Sequence, residues 1–303
     1  MLNRSHSSLL ATIAKIESLY NMPKTFRYPW QTQFSSLSPL FHPVRPVVKE
    51  IEAYSQWPTL NDLQTMLFET QEDIYTEHQA KICLVPQDEK PSRFEQHYAP
   101  RIYLKGEIQT REQNWHDLFQ AITWRMFPRS KVAINSLHYT AALQRNQQGS
   151  EQGKRSQLEN LLSQFDECGV VIISSSPKLL DMIRDFQWKN LFWEHRQACQ
   201  QQMRCIVFGH AIYEKAINPY VGLTAKALLL ECEASVLDAN SSNQLEYIDE
   251  CLKQHILAFN ETSSPQDLNP FPILGYPDFS PENSDESYYA NTSYFRPKRL
   301  SPS

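Results

Sequence analysis

The chain has 303 residues, of which 41% are hydrophobic and 21% are charged, and its formal net charge is −5. These proportions are ordinary for a globular protein, and the length is sufficient to bury a substantial core. The negative balance gives no electrostatic reason for general binding to nucleic acid or to an anionic membrane, so neither is expected as a partner.

The cysteines and the apolar segments bear on the cellular compartment. None of the six cysteines forms a Cys-x-x-Cys pair, and the closest two, Cys199 and Cys205, have five residues between them. This spacing fits neither a zinc site nor a secreted disulfide framework, so reduced thiols are expected. Residues 9–20 lack the apolar core of an export signal, and no stretch approaches the roughly 18 apolar residues of a membrane span. We therefore expect a cytoplasmic protein, and the sequence leaves its oligomeric state open.

The first third of the chain predicts short elements. Residues 1–25 are expected to form a loosely ordered N-terminal segment. Residues 39–69 follow a helical pattern whose starts and stops are set by prolines. Two short apolar runs, 82–85 and 101–104, predict strands, and Gly106 ends the second.

A clearer helix follows. Thr110 and Gln113 have the spacing of a capping box, in which each side chain satisfies a backbone donor. Five apolar residues behind it recur at helical spacing and form one stripe: Trp115, Leu118, Phe119, Ile122 and Met126. Pro128 is expected to end this helix, and Ser130 to cap a second helix that reaches about Arg145.

The central region alternates between helix and strand patterns. Residues 146–156 are polar and Gly-containing and predict a loop or linker. The predicted elements after it are helix 157–165, a turn at 166–169, strand 170–173, helix 177–186 and strand 205–208. Both strand runs are strongly apolar, so we predict that they are neighbours in the centre of a small sheet and that they resemble a βαβ unit.

The C-terminal third combines helices with an unusual tail. Helices are predicted from His210, over 223–233 and over 245–258. Residues 261–303 are rich in Pro and Ser, yet they carry many aromatic side chains. The sequence therefore predicts an α+β fold: a mainly helical single domain over 26–260, with a small central sheet and an extended C-terminal arm docked on it.

The chemistry-bearing residues form two His/Glu pairs. The chain contains no GxGxxG, GxxxxGK[ST], GxSxG or HExxH motif, so the common nucleotide, esterase and zinc-protease sites have no support. Glu112 and His116 are four residues apart, as are His210 and Glu214. On a helix this spacing places imidazole and carboxylate on one face, and both are ligand types that zinc, manganese or iron accept. The alternative for each pair is a surface ion pair.

Both histidines lie near predicted helix starts, and His210 directly follows a buried strand, where open α/β sheets bind ligands. We predict that both imidazoles face one cavity within about 10 Å of each other. The predicted catalytic residues are His116, Asp117, His210 and Glu214. A divalent metal would be held by His116, His210 and Glu214, and a small anionic ligand by Arg111, Asn114 and Lys215.

A third candidate is the acidic pair Asp166 and Glu167, which immediately precedes a predicted strand. Adjacent acids in such a place bind metal in many phosphodiester-cleaving sites, although Asp and Gly there more often simply make a turn. Cys168 beside them is read as structural.

Two classes of function follow. The first is a hydrolase-like enzyme in which a histidine or carboxylate acts as general base on water, with or without a metal, on a small anionic or phosphoester substrate. The second is a non-catalytic binding or scaffold protein whose polar residues form a satisfied network. Imidazoles that open into a cavity favour the enzyme, whereas imidazoles sealed between helices by backbone partners favour the scaffold.

Several stretches carry a family resemblance. The clearest are NWHDLF at 114–119, FGHA at 208–211, PILGYP at 272–277 and YFRP at 294–297. In these residues the chain resembles a bacterial protein family catalogued as domain of unknown function 3025, over about Trp30 to Arg299. The resemblance implies one fold-sized unit that includes the docked arm and a bacterial setting. It implies no activity and no catalytic residue.

Overall fold

The computed structural model describes residues 28–88, 90–147 and 155–298. The predicted N-terminal segment 1–25 lies outside the described residues, as does 148–154 of the predicted loop. Within the described part of the chain, no helix is both long and apolar enough to cross a membrane. The six cysteines are free, as expected.

The N-terminal part of the described chain is helical in short pieces. Helix α1 spans Arg45–Val48, and α2 spans Leu60–Gln64 and continues as a π-helical turn over Thr65–Glu69. Thr59 caps α2 through a capping box with Asp62. The pieces are short because prolines lack the N–H that an α-helix interior requires. The helical prediction for 39–69 is thus confirmed, but as several turns and not one rod.

A small two-stranded sheet lies next in the chain. Strand β1, Cys83–Pro86, pairs in parallel with β2, Glu107–Thr110, and helix α3, Tyr98–Lys105, connects them. The strand predicted at 101–104 is wrong, because these residues belong to α3. Gly106 ends α3 with φ of 73°, and a Cβ there would lie 1.9 Å from the Lys81 carbonyl oxygen. The close approach of the backbone at Gly106 to the backbone at Lys81 therefore matters more for the end of α3 than the short apolar run at 101–104.

Helix α4, Trp115–Met126, carries the predicted apolar stripe, and all five of its members are buried. Its start differs from the prediction. Asn114 is the N-cap and its Oδ1 accepts from the Asp117 backbone N–H at 3.1 Å. The predicted capping box at Thr110 is wrong because that residue is paired in β2.

Helix α5, Pro128–Gln147, follows at once. The prediction that Ser130 caps it is wrong, because Ser130 already lies inside the helix. The carboxylate of Asp249 accepts hydrogen bonds at 2.9 Å from the backbone N–H groups of Arg129 and Ser130. The cap therefore comes from a distant part of the chain and was invisible to local pattern.

The remaining elements build the main sheet. In order they are α6 Gln157–Cys168, β3 Gly169–Ser174, α7 Pro177–Arg184, α8 Arg196–Gln202, β4 Met203–Val207, α9 His210–Ala216, β5 Thr224–Glu231, α10 Ala234–Leu237, α11 Ser241–Leu257 and β6 Asn269–Pro272. The sheet order is β4-β3-β5-β6, in which β3 is parallel to β5 and the other pairs are antiparallel.

Three predictions are changed by this sheet. The strands β3 and β4 are neighbours as predicted, but β4 is at the edge and antiparallel to β3, so they do not form a βαβ unit. The predicted turn at 166–169 is wrong because α6 continues to Cys168. The predicted helix 223–233 is wrong because it contains β5, which is hydrogen-bonded between β3 and β6 in the sheet.

The C-terminal arm docks as predicted. Its strand β6 joins the sheet beside β5, and Phe271 is fully buried. The Tyr276 hydroxyl donates to the Met203 carbonyl at 2.8 Å, and the Tyr294 hydroxyl to the Leu223 carbonyl at 2.7 Å. The chain is thus a mainly helical α+β protein with a docked arm. The predicted boundaries of the domain at residues 25 and 260 stay a prediction.

Candidate functional site

The two predicted histidines come together. His116 lies in the first turn of α4, and His210 is the first residue of α9. Their Nε2 atoms are 3.1 Å apart, and the ring centroids are separated by 4.5 Å with the rings nearly perpendicular. Helices α4 and α9 are held together by a stacked contact between Phe119 and Tyr213. The apolar packing of the two helices therefore fixes the two imidazoles against each other.

A glycine brings the end of β4 against the start of β3. The backbone N–H of Gly209 donates to the carbonyl oxygen of Gly169 at 2.8 Å. A Cβ on Gly209 would lie 2.4 Å from the Gly169 nitrogen and 2.5 Å from the Glu167 carbonyl oxygen. Only glycine permits this approach. It places His210 beside the last turn of α6, which carries Glu167.

Each histidine pairs with a different carboxylate from the one predicted. His116 Nδ1 lies 3.1 Å from Glu214 Oε2, while His210 Nε2 lies 3.5 Å from Glu167 Oε2. The expected pairing of His116 with Glu112 does not arise, because α4 begins only at Trp115 and Glu112 is exposed before it. Each imidazole is thus paired with a carboxylate from another helix.

The pKa values of His116 and Glu167 are shifted by the charges of their neighbours in the cluster. Burial disfavours protonation of His116, but the hydrogen bond to Glu214 and the charges of Glu167, Glu214 and Asp117 outweigh it and raise the pKa of His116. Burial would raise the pKa of Glu167, yet the hydrogen bond and charge of His210, with the charge of His116, lower it. Because Glu214 can only accept, Nδ1 of His116 carries the proton and Nε2 presents its lone pair.

His210 is the buried member of the cluster. Its side chain is 2% exposed, whereas that of His116 is 28% exposed and that of Glu167 is 47% exposed. His210 Nδ1 has no hydrogen-bond partner among the described residues. Buried polar atoms are normally paired, so the unpaired Nδ1 shows that the hydrogen bonds of His210 are not completed by backbone partners among the described residues.

The cluster lies in the wall of a cavity of about 830 Å³. The wall is formed by α3, α4, α5 and α6 and by the segment before α3, and it includes His116, Glu167 and His210. Glu214 is not part of the wall and lies behind His116.

The cations of the wall are mostly neutralised. Three of them form ion pairs with acidic residues of the same wall: Arg111 with Asp117, Lys131 with Asp166 and Arg145 with Glu159. Burial would raise the pKa of Asp166, but the charge of Lys131 outweighs it and lowers that pKa. Arg155, also in the wall, donates to the Ser163 hydroxyl at 3.1 Å.

The other predicted residues have structural contacts. Asp117 accepts two hydrogen bonds from the Arg111 guanidinium at 2.8 Å and one from the Arg111 backbone N–H at 2.7 Å. Asn114 is committed to capping α4. Lys215 approaches the Cys168 sulfur at 3.9 Å and, like Asn114, is outside the cavity wall. The structure thus brings together His116, His210 and Glu214. Asp117 and Arg111 line the same cavity as the two histidines.

Sequence reasoning left two residues out of the site. The sequence offers Glu167 only as half of a separate acidic pair, because its contact with His210 depends on strand pairing. Lys131 is 2% exposed in the cavity wall, and no local pattern distinguished it from the surface lysines.

Comparison with known proteins places the chain in a family without assigning an activity. A family model described as a protein of unknown function, DUF3025, matches residues 82–299. The expected resemblance began at about Trp30, so its first part lies outside this match. No curated protein and no solved structure matches the chain. Since the family match covers well over half of the 303 residues, the chain belongs to the DUF3025 family.

Proposed function

We propose that this protein is a hydrolase-type enzyme that activates water at the cluster of His116, His210 and Glu167. The observation that carries the proposal is the convergence of two imidazole Nε2 atoms and one carboxylate, with separations between 3.1 and 4.0 Å, in the wall of one cavity. Neutral imidazole and ionised carboxylate are the side chains that most often accept a proton from water in enzymes.

The contacts of the imidazoles favour the enzyme over a structural network. A scaffold would seal both rings with backbone partners. Instead, among the described residues, His116 and His210 contact each other and two carboxylates, and His210 Nδ1 remains unpaired. Glu167 is about half exposed, so water reaches the cluster from the cavity.

Two modes of water activation fit these residues. A basic side chain takes the proton directly, or a bound divalent cation lowers the pKa of the water to about 7. In both modes Glu214 holds the His116 ring and fixes its tautomer, and Asp117 positions the start of α4 through Arg111.

The cavity suits a small substrate, since ligand pockets commonly enclose about 300–1,000 Å³. The substrate that we propose is a small ester or phosphoester. Arg155 of the cavity wall supports an anionic group, because among the described residues its guanidinium donates to a hydroxyl and not to a carboxylate. The three ion-paired cations contribute little to anion binding. A cytoplasmic location and a bacterial source remain expectations from the sequence.

The test is a hydrolysis screen of the full-length protein with added Zn²⁺ or Mn²⁺. It uses p-nitrophenyl carboxylic esters, phosphate monoesters and phosphate diesters. We expect one class to be cleaved and His210→Ala to lower kcat/KM by about 10²-fold or more, the typical loss for a proton-transfer group. His42→Ala, at an exposed histidine, is the matched control and should retain the activity. Absence of cleavage across the screen, or equal losses in the two variants, would contradict the proposal.

A further inference from the structure

We infer that the cluster is a binding site for one divalent transition-metal ion, held by His116 Nε2, His210 Nε2 and the Glu167 carboxylate. The inference deepens the proposed function, whose site it shares, by naming the cation that activates the water. It also changes the ligand set expected from sequence, because Glu167 replaces Glu214.

The donor atoms have the separations of a coordination sphere. With zinc–nitrogen bonds of about 2.0–2.1 Å in a tetrahedral site, neighbouring donors are about 3.3–3.5 Å apart. Here the two Nε2 atoms are separated by 3.1 Å, and the Glu167 oxygens lie 3.5 Å from His210 Nε2 and 4.0 Å from His116 Nε2. Since Glu167 is about half exposed, its carboxylate is free to close the longer distance.

Glu214 has the position of an outer-shell residue. Its Oε2 lies 3.1 Å from Nδ1 of His116, on the opposite side of the ring from Nε2, and it is absent from the cavity wall. Metal-binding histidines usually donate their second ring N–H to such a carboxylate, which orients the ring and increases the basicity of the ligating nitrogen. This contact leaves the His116 Nε2 lone pair available to a metal ion.

The charges balance for a divalent ion. Two neutral imidazoles and the carboxylates of Glu167 and Glu214 together supply two negative charges. Asp166, the neighbour of Glu167, is already neutralised by the buried Lys131. Of the adjacent acidic pair, only Glu167 therefore remains available to a metal.

The ligand atoms indicate which metals the site prefers, and the adjoining cavity indicates whether the site is catalytic or structural. Two imidazole nitrogens and one carboxylate favour zinc, manganese or iron over magnesium and calcium, which prefer oxygen ligands. Three protein ligands that all line a cavity leave a remaining position for water or substrate, as in catalytic and unlike closed structural zinc sites.

The experiment is calorimetric titration of the chelator-stripped, dialysed full-length protein with Zn²⁺, Mn²⁺ and Mg²⁺. The visible absorption of added Co²⁺ is a second readout that needs no activity. We expect one Zn²⁺ or Co²⁺ per chain and much weaker Mg²⁺ binding. His116→Ala, His210→Ala and Glu167→Gln should each lower the affinity by more than about 100-fold, beyond the 10–100-fold range of outer-shell variants, within which Glu214→Gln should fall.

Two variants are controls. Glu112→Gln removes an exposed carboxylate one turn before His116, and His138→Ala removes another histidine of the cavity wall; both should bind Zn²⁺ like the wild type. Glu167→Gln keeps volume at a half-exposed position, so it tests the ligand even if His210→Ala fails to fold. No binding of Zn²⁺, Mn²⁺ or Co²⁺, or an equal loss in Glu112→Gln, would overturn the metal site.

The outcomes separate the two proposals. Site-specific metal binding with no hydrolysis in the screen contradicts the hydrolase and leaves the metal site. Hydrolysis that persists in the chelator-stripped protein contradicts the metal's role in activating the water and leaves a direct acid–base hydrolase, while the titration alone decides whether the metal binds.

Discussion

Replacement of Gly209 by alanine tests how the backbone builds the site. Gly209 has φ of −70° and ψ of 121°, which alanine adopts without strain, so any effect must come from contact. The added Cβ would lie 2.4–2.6 Å from three backbone atoms of residues 167–169, whereas ordinary contact begins at 3.4 Å. The nearest contact must therefore lengthen by about 1 Å, and no flexible side chain is there to yield.

The expected result has two parts. Overpacking of this size costs about 1–3 kcal/mol, and at roughly 2–4 °C per kcal/mol for proteins of 150–250 residues it lowers the melting temperature by about 2–12 °C. The separation also displaces the backbone of His210 by about 1 Å, and its buried ring has little freedom to compensate, whereas metal–ligand distances vary by only about ±0.2 Å. Zn²⁺ affinity should therefore fall together with stability.

Thermal unfolding and Zn²⁺ titration of Gly209→Ala check both parts. The control is Gly222→Ala, where the added Cβ meets nothing within 4 Å and only the positive φ of 110° is strained. That variant should lose about 1–3 kcal/mol of stability from backbone strain and bind Zn²⁺ normally. If Gly209→Ala melts and binds Zn²⁺ like the wild type, the close approach of β3 and β4 is not what positions His210.

Three further predictions concern stability. Asp249→Ala removes the carboxylate that caps α5, and urea unfolding should show a loss of about 1–2 kcal/mol; a change below 0.5 kcal/mol would contradict the capping role. Burial lowers the pKa of His138 from 6.5 to about 4, so the unfolded chain takes up its proton first and stability falls as the pH drops from 6.5 toward 4. His138→Gln should flatten that dependence in urea titrations at pH 7 and 5, and an unchanged slope would argue against it. Truncation after Asn260 removes β6 and should lower the melting temperature and increase binding of a hydrophobic dye, whereas an unchanged melting curve would count against a docked arm.

Local patterns predicted the elements that carry their own signal. The stripe from Trp115 to Met126 repeats at helical spacing, and residues 170–173 are too apolar for anything but a buried strand, so α4 and β3 were identified. The aromatic residues of the tail predicted its docking for the same reason, since so much apolar surface is not left in water. Helical spacing, apolar runs and aromatic content are all properties of residues close together in the sequence, so the sequence alone reveals them.

The elements that were misread depend on distant partners. Residues 223–233 resemble a helix locally, but β5 fills the gap between β3 and β6 and takes its hydrogen bonds from them. The cap of α5 comes from Asp249, more than a hundred residues away. Because strand pairing and capping by remote side chains leave no local periodicity, the sequence alone does not reveal them.

The candidate site also has a part that the sequence predicts and a part that depends on the tertiary structure. Residue type and spacing predict His116, His210 and Glu214 as site residues, because they determine what chemistry a side chain offers. Which carboxylate meets which imidazole was decided only by the tertiary structure. The antiparallel pairing of β3 with β4, closed at Gly209, sets Glu167 beside His210, and the packing of α4 on α9 sets Glu214 behind His116. The chemistry of a side chain can be read at each position of the sequence separately. Contacts between helices cannot, because they exist only once the whole core has formed.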